Sequence, residues 1–311
     1  MTKSIAFGKR STADQVLAGI DLTGQRFLVT GCNSGLGFET MNALAANGAA
    51  VIGLARSIDA AARACALASP TCVPVACDLA DFDSIAAAVR TIRTLPGSLD
   101  AIVANAGVAN LPSARVRYGV EMHFLVNHIG HFVLLNELSS QLRDNGGRIV
   151  VVSGSASLNQ APAEGIMFDN LDGSRSYSPQ IFYGQSKLAN AMYAKELSRR
   201  LGNRGITVNA VDPGASRTAL DRHANSGKRP LASLLSRFWS KTPAQGAATQ
   251  TFLAASPEVA GISGEYWADC KMTQGNPLIA DDGLALHLWD ISEEIVVRHA
   301  ALTTPLFQEA A

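Results

Sequence analysis

The sequence predicts an α/β fold in one domain, a doubly wound parallel sheet with helices on both faces, and two observations carry that prediction. Short β-rich apolar runs alternate with longer helical stretches, and the first run ends in a glycine-rich turn that opens a helix. The strands are expected at residues 27–30, 50–54, 73–76, 101–104, 148–152 and 206–211, with helices filling the gaps. Their apolar residues run on rather than alternate, which marks strands buried on both faces. The segment 220–242 breaks the rhythm with the polar turn Ser226-Gly227-Lys228-Arg229-Pro230. It reads as an insertion within a single domain spanning 1–311, not as a domain boundary.

Composition narrows the function classes. The 311 residues are 47% apolar, enough for one large core. Lys and Arg number 26 against 26 Asp and Glu, and no basic run exceeds two residues, as in Ser198-Arg199-Arg200, so the electrostatic footprint of a nucleic-acid binder is missing. Five scattered cysteines, Cys32, Cys65, Cys72, Cys77 and Cys270, lack metal-type pairing and suggest reduced thiols. The N-terminal residues lack an apolar core of signal length, and no uncharged apolar run approaches a membrane span. A cytoplasmic location is expected.

Two motifs carry chemistry. The turn Thr30-Gly31-Cys32-Asn33-Ser34-Gly35-Leu36-Gly37 lies between a strand and a helix, where small residues let the backbone approach a pyrophosphate and the helix N-terminus faces its negative charge. Its glycine spacing departs from the usual three-glycine dinucleotide fingerprint, so context carries the reading. Downstream, Tyr183-Gly184-Gln185-Ser186-Lys187 sets a phenol and an ammonium four residues apart, on nearly the same helix face. A free phenol has a pKa of about 10, and a neighbouring cation moves it toward neutrality, where it can work as an acid or base. Either motif alone has a bland reading, a plain strand–helix turn or a chance surface pair. Together they point to a dinucleotide enzyme.

With Cys77-Asp78-Leu79, Asn105-Ala106-Gly107, Val126-Asn127-His128-Ile129-Gly130-His131-Phe132 and Asp212-Pro213-Gly214, the chain resembles the short-chain dehydrogenase/reductase family over almost its whole length. The stretches Ser263-Gly264-Glu265-Tyr266-Trp267-Ala268-Asp269-Cys270 and Leu288-Trp289-Asp290-Ile291-Ser292-Glu293, with the lead-in Leu22-Thr23-Gly24, look like the retinol dehydrogenase and WW-domain oxidoreductase branch. The resemblance implies a Rossmann fold and reversible hydride transfer between a nicotinamide cofactor and an alcohol, ketone or aldehyde. It makes Tyr183 the proton donor or acceptor, Lys187 the ribose-binding cation that tunes it, and Asn127 the anchor of a proton-relay water. Gly31, Asn33, Ser34, Gly35, Leu36 and Gly37 would hold the cofactor together with Asp78 and Leu79 at the adenine, Asn105, Ala106 and Gly107 along it, and Pro213, Gly214 and Thr218 beyond.

Two departures stand out. The slot for the serine that polarises the substrate oxygen holds Gly154, between Ser153 and Ser155; which hydroxyl enters the site depends on local geometry, and Ser155 is favoured. Ala104 stands where many relatives carry asparagine. A second reading, a catalytically silent cofactor-binding regulator or scaffold, draws its weight from Gly154 alone. Turnover measured by nicotinamide absorbance separates the two.

Three finer expectations follow. Arg56, after the second strand, stands where an acidic residue would receive the ribose hydroxyls of NAD, so NADP is the expected preference and NAD the alternative. Leu231, Leu234, Leu235, Phe238 and Trp239 form an apolar stripe at helical spacing, expected to cover a lipophilic small-molecule substrate; core packing or a subunit contact in a homo-oligomer would use the same stripe. His123, His128 and His131 lie within nine positions, yet nothing adds the convergent ligands a metal needs, and no metal site is expected. Cys32 reads as a small packed residue rather than a redox group.

Overall fold

The computed structural model describes residues 7–215 and 240–299. After a short helix α1 (Ala13–Val16), closed by a Thr12/Gln15 capping box, strand β1 (Arg26–Thr30) leads into α2 (Gly35–Ala46). Then come β2 (Ala50–Ala55), α3 (Ile58–Ala68), β3 (Val73–Ala76), α4 (Phe82–Arg93) and β4 (Ala101–Ala104). A two-strand ribbon, β5 (Val116–Arg117) and β6 (Val120–Glu121), precedes α5 (Met122–Phe124), a π-helical turn at Leu125–Ile129 and α6 (Gly130–Leu138). Strand β7 (Arg148–Val152), the short α7 (Ala156–Asn159), the long α8 (Pro179–Arg200) and β8 (Thr207–Asp212) follow. The described chain ends with α9 (Pro243–Ala255), β9 (Tyr266–Ala268), β10 (Lys271–Met272) and α10 (Asp282–His299).

The sheet runs β10-β9-β8-β7-β4-β1-β2-β3. All pairings are parallel except β10 on β9 at the edge. Strand order reverses between β1 and β4, and in such sheets the crevice at the carboxyl ends of the strands on either side of that reversal is where ligands bind. Side chains of β1 show both faces covered: Phe27 and Val29 pack with α2, α3 and α9, while Leu28 packs with α4, α6, α8 and α10. The six strands expected from the sequence occur, each within one residue at either end. The ribbon β5–β6 and the edge strand β10 were beyond the apolar pattern, since two residues cannot display a period.

Gly130, at the start of α6, fixes how that helix sits. A methyl group there would lie 2.3 Å from the carbonyl oxygen of Leu79 and 2.7 Å from its Cβ, so only glycine lets α6 touch the segment that carries Asp78. Replacing a helical glycine by alanine ordinarily adds about 1 kcal/mol of helix propensity. Here the clash with backbone outweighs it. Gly130→Ala is expected to lower unfolding stability by about 1–3 kcal/mol, as overpacking does, and to displace the segment that carries Asp78; a variant as stable as wild type in denaturant titration would show that the contact yields.

Candidate active site

The carboxyl ends of β1 and β4 meet through Thr30. Its hydroxyl oxygen accepts the amides of Asn105 and Ala106, each at 2.9 Å, and its carbonyl accepts Asn105 Nδ2 at 2.9 Å. Gly31 follows with φ +69°, and its amide and that of Cys32 both donate to the Leu54 carbonyl at the end of β2. A Cβ on Gly31 would stand 2.9 Å from Ala106 Cα, and one on Gly37 would stand 2.3 Å from Gly31 O and 2.5 Å from Asn105 Nδ2. The turn is thus packed backbone to backbone at the N-terminus of α2, with Asn33 exposed and Ser34 and Gly35 half-buried. A cradle without side chains at a helix N-terminus suits a pyrophosphate. The glycine turn and the loop 105–107 fit a dinucleotide on that observation.

Lys187 and Asn127 approach the same loop from the other side. The Lys187 ammonium donates to the Val152 carbonyl at 3.1 Å and lies 5.8 Å from the centre of the Tyr183 ring. Burial lowers its pKa to about 8, against the opposing pull of Asp212. The Asn127 side chain is held at both ends: Oδ1 accepts the Val108 amide at 2.7 Å, and Nδ2 donates to the Val108 carbonyl at 3.0 Å and to Ser186 Oγ at 2.9 Å. A Cβ on Gly107 would stand 3.1 Å from Asn127 Oδ1 and 3.5 Å from Lys187 Nζ, so that glycine joins the two groups to the loop. Tyr183, half-buried, has the His123 ring edge-on at 6.1 Å.

The serines divide. Ser153 is buried and donates to the Lys187 carbonyl at 2.7 Å, so its hydroxyl turns into α8; Ser155 is exposed at the start of α7. Gly154 between them has φ +145°. Sequence reasoning missed Ser157, which is buried and donates to Gly154 O at 2.7 Å, and Tyr266, whose phenol lies near Ser153 and Ser157. Pro213 is buried and Gly214 half-buried after β8, with the Gly214 amide on Asp212 Oδ1 at 2.8 Å. Beside them Lys241, also missed, donates its amide to Ala215 O and pairs with Asp269 at 2.7 Å. Asp78 is half-buried with Oδ1 on the Ala80 amide, Leu79 is in the core, and Arg56 is exposed one residue beyond β2. Thr218 and the stripe Leu231, Leu234, Leu235, Phe238 and Trp239 lie outside the described residues.

Each histidine has its own partner. His123 Nδ1 bonds the buried Glu121 carboxylate at 2.9 Å, and His128 Nε2 bonds Ser292 Oγ at 2.9 Å. His131 bridges Thr30 Oγ1 through Nε2 and the Asn127 carbonyl through Nδ1, both at 2.9 Å. Burial pushes His128 down to about 3 and His131 down to about 4. Among the described residues no group of side chains could hold a metal ion. Cys32 is fully buried behind the turn, and its hydrogen bond with Cys65, with burial, keeps its thiol protonated.

Comparison with known proteins follows the same lines. The sequence model of the enoyl-(acyl carrier protein) reductase family matches residues 31–268. Human retinol dehydrogenase 14 is 38% identical over 294 residues, covering 88% of this chain and 86% of its own. Human WW domain-containing oxidoreductase is 34% identical over 297 residues, covering 92% of this chain and 71% of its own. Among solved structures, a protein from Mycobacterium Paratuberculosis superposes with a TM-score of 0.72 at 28% identity, covering 93% of this chain and 98% of the other.

The neutral imidazoles give stability a pH dependence of definite sign. In the unfolded chain each histidine takes up a proton below its ordinary value of 6.5, whereas the folded protein holds them to about 3 and about 4. Within that window the unfolded state binds more protons, so stability is complete above pH 6.5 and is lost as the pH falls. The expected loss is about 2 kcal/mol per histidine by about pH 5. Denaturant titrations across this range should show it, and a flat profile would mean that the imidazoles are charged in the folded state.

Proposed function

The chain belongs to the short-chain dehydrogenase/reductase family, and from that premise we propose the division of labour within its site. It is an NAD(P)-dependent oxidoreductase that interconverts an alcohol and the corresponding carbonyl compound. A bound nicotinamide supplies or accepts the hydride. The glycine turn, Asp78, Leu79 and the loop 105–107 hold the cofactor, with Pro213, Gly214 and Thr218 at its far end. Tyr183 passes a proton to or from the substrate oxygen. Lys187 favours the phenolate by its charge and binds the ribose. The observation that carries this reading is the buried Lys187 ammonium on the Val152 carbonyl, beside both the Tyr183 ring and Gly107.

The Asn127 side chain is braced against Val108 and Ser186, and its main-chain carbonyl is proposed as the anchor of a relay water. For the substrate hydroxyl partner, Ser155 is favoured over Ser153, whose hydrogen is given to α8. The substrate is proposed to be lipophilic, as the apolar stripe 231–239 and the name of the retinol dehydrogenase relative suggest. No helix among the described residues is long and apolar enough to cross a membrane, and all five cysteines are free and buried, which supports a reducing compartment such as the cytoplasm.

The test is nicotinamide turnover on alcohols and carbonyl compounds of graded apolar size. Tyr183→Phe is expected to abolish turnover while cofactor binding persists, and catalytic efficiency should rise with apolar bulk. Near-normal turnover without the phenol would remove the assigned acid–base group.

NADP preference is proposed from Arg56. It is exposed two residues beyond the Leu54 carbonyl on which the glycine turn hangs. A guanidinium there pairs with phosphate bidentately. Arg56→Ala is expected to cut catalytic efficiency with NADP by about tenfold or more, the worth of one charged hydrogen-bonded contact, and to leave NAD nearly unaffected. Equal efficiency with both cofactors in the unaltered protein contradicts the assignment.

A further inference from the structure

His131 belongs to none of the roles assigned so far, yet its two bonds join the cofactor loop to the proposed relay. The proton positions follow from counting. A threonine hydroxyl has one hydrogen and two lone pairs. Thr30 Oγ1 spends both lone pairs on the amides of Asn105 and Ala106, so its hydrogen must go to His131 Nε2. That nitrogen is then an acceptor, which leaves the imidazole hydrogen on Nδ1, donated to the Asn127 carbonyl. The ring is fully buried, and the nearby ammonium of Lys187 adds to the cost of charging it. Asn127 itself sits in the π-helical turn, where the Gly130 amide reaches back five residues to the Leu125 carbonyl. Such turns interrupt the regular i→i−4 bonding and recur at functional sites. Here a side chain, His131, bonds the Asn127 carbonyl.

We propose that His131 is a positioning residue for proton transfer: as a neutral imidazole it ties the main-chain carbonyl of Asn127 to the Thr30 hydroxyl that organises the cofactor loop. A carbonyl oxygen has a second lone pair, so the bond to His131 sets its direction and still leaves it able to receive a water. The proposal rests on the reading that this carbonyl anchors the relay serving Tyr183 and Lys187. On that reading a small rotation of the carbonyl lengthens one hydrogen bond of the relay and slows proton transfer without touching either substrate.

Two substitutions separate the two arms of the imidazole. His131→Gln can present an oxygen near Nε2 to Thr30 but has no donor at the Nδ1 position. His131→Asn has its amide where Nδ1 stands and nothing near Thr30. The expected result is that His131→Gln lowers kcat by about tenfold or more, the scale of a misaligned catalytic group, with KM for the cofactor little changed and a larger solvent isotope effect on kcat. His131→Asn should recover most of that rate although it is no more stable. Equal loss in both variants, in step with their melting temperatures, overturns the proposal, as does an unchanged kcat in His131→Gln. Tyr183→Phe assayed alongside tells the two levels apart: if it keeps turning over, the acid–base reading itself fails, whatever the His131 variants do. Should neither variant fold, the nitrogen-15 shifts of His131 in the unaltered protein decide. A neutral ring protonated on Nδ1 at neutral pH is expected; protonation on Nε2, or on both nitrogens, refutes the clamp.

Discussion

The site depends on two loops whose backbones touch at the centre of the sheet. The turn after β1 and the loop after β4 come so close that neither Gly31 nor Gly37 could carry a methyl group without meeting the other's backbone or its own turn. Such closeness would strand amides that no strand partner reaches, and each buried orphan costs about 1–3 kcal/mol. Thr30 removes that cost for Asn105 and Ala106 with a single oxygen. The bracing then extends outward, since Asn105 accepts from Gln250 of α9, which also donates to Thr40 of α2. The loop after β4, α9 and α2 are therefore registered on the end of β1 before any ligand arrives.

Electrostatics divide the remaining labour. Keeping the Lys187 ammonium buried costs about 3 kcal/mol, the free-energy equivalent of its displacement from 10.5 to about 8. That is what remains after the pull of the half-buried Asp212, and the Val152 carbonyl accepts one of the ammonium hydrogens. A second cation in the same volume would add repulsion to desolvation, and His131 avoids it by remaining neutral. Its partners enforce that state, because one is a hydroxyl that donates and the other a carbonyl that accepts. The Lys187 ammonium stands beside the Tyr183 ring, on a long stem that can lie along α8 while its tip reaches the end of β7. The protonation pattern follows from hydrogen-bond valence before any titration argument is needed.

Much of this was legible from residue order. Buried parallel strands declare themselves by unbroken apolar runs, and Val73–Ala76, Ala101–Ala104 and Arg148–Val152 occur with the expected ends. The glycine turn and the Tyr183/Lys187 spacing could be read because each depends on local geometry of one turn or one helix. What stayed hidden depends on approach between distant segments. Nothing in the sequence says that His131 should reach Thr30, 101 residues earlier, rather than serve as core filling. Likewise Lys241 pairs with Asp269, which adopts φ +52°, a conformation that no pattern of apolar residues announces.

The Gly154 slot shows how a backbone constraint can stand where a side-chain function was expected. A Cβ at that position would meet only Asp212 Oδ1, at 3.9 Å, so space does not demand glycine. Conformation does, because φ +145° is a region L side chains rarely adopt. The chain takes this path as it leaves β7 to start α7, and on it Ser153 turns inward to α8 while Ser157 caps the carbonyl of Gly154. A hydroxyl inserted at 154 would have to be strained or would rebuild the turn. On the proposed mechanism the hydroxyl that assists Tyr183 must therefore come from a neighbour that the turn carries outward, and of the two flanking serines only Ser155 is exposed. The lost serine and the retained site are then compatible: the glycine reports the route of the backbone, while Lys187 and Tyr183 preserve the means to move a proton.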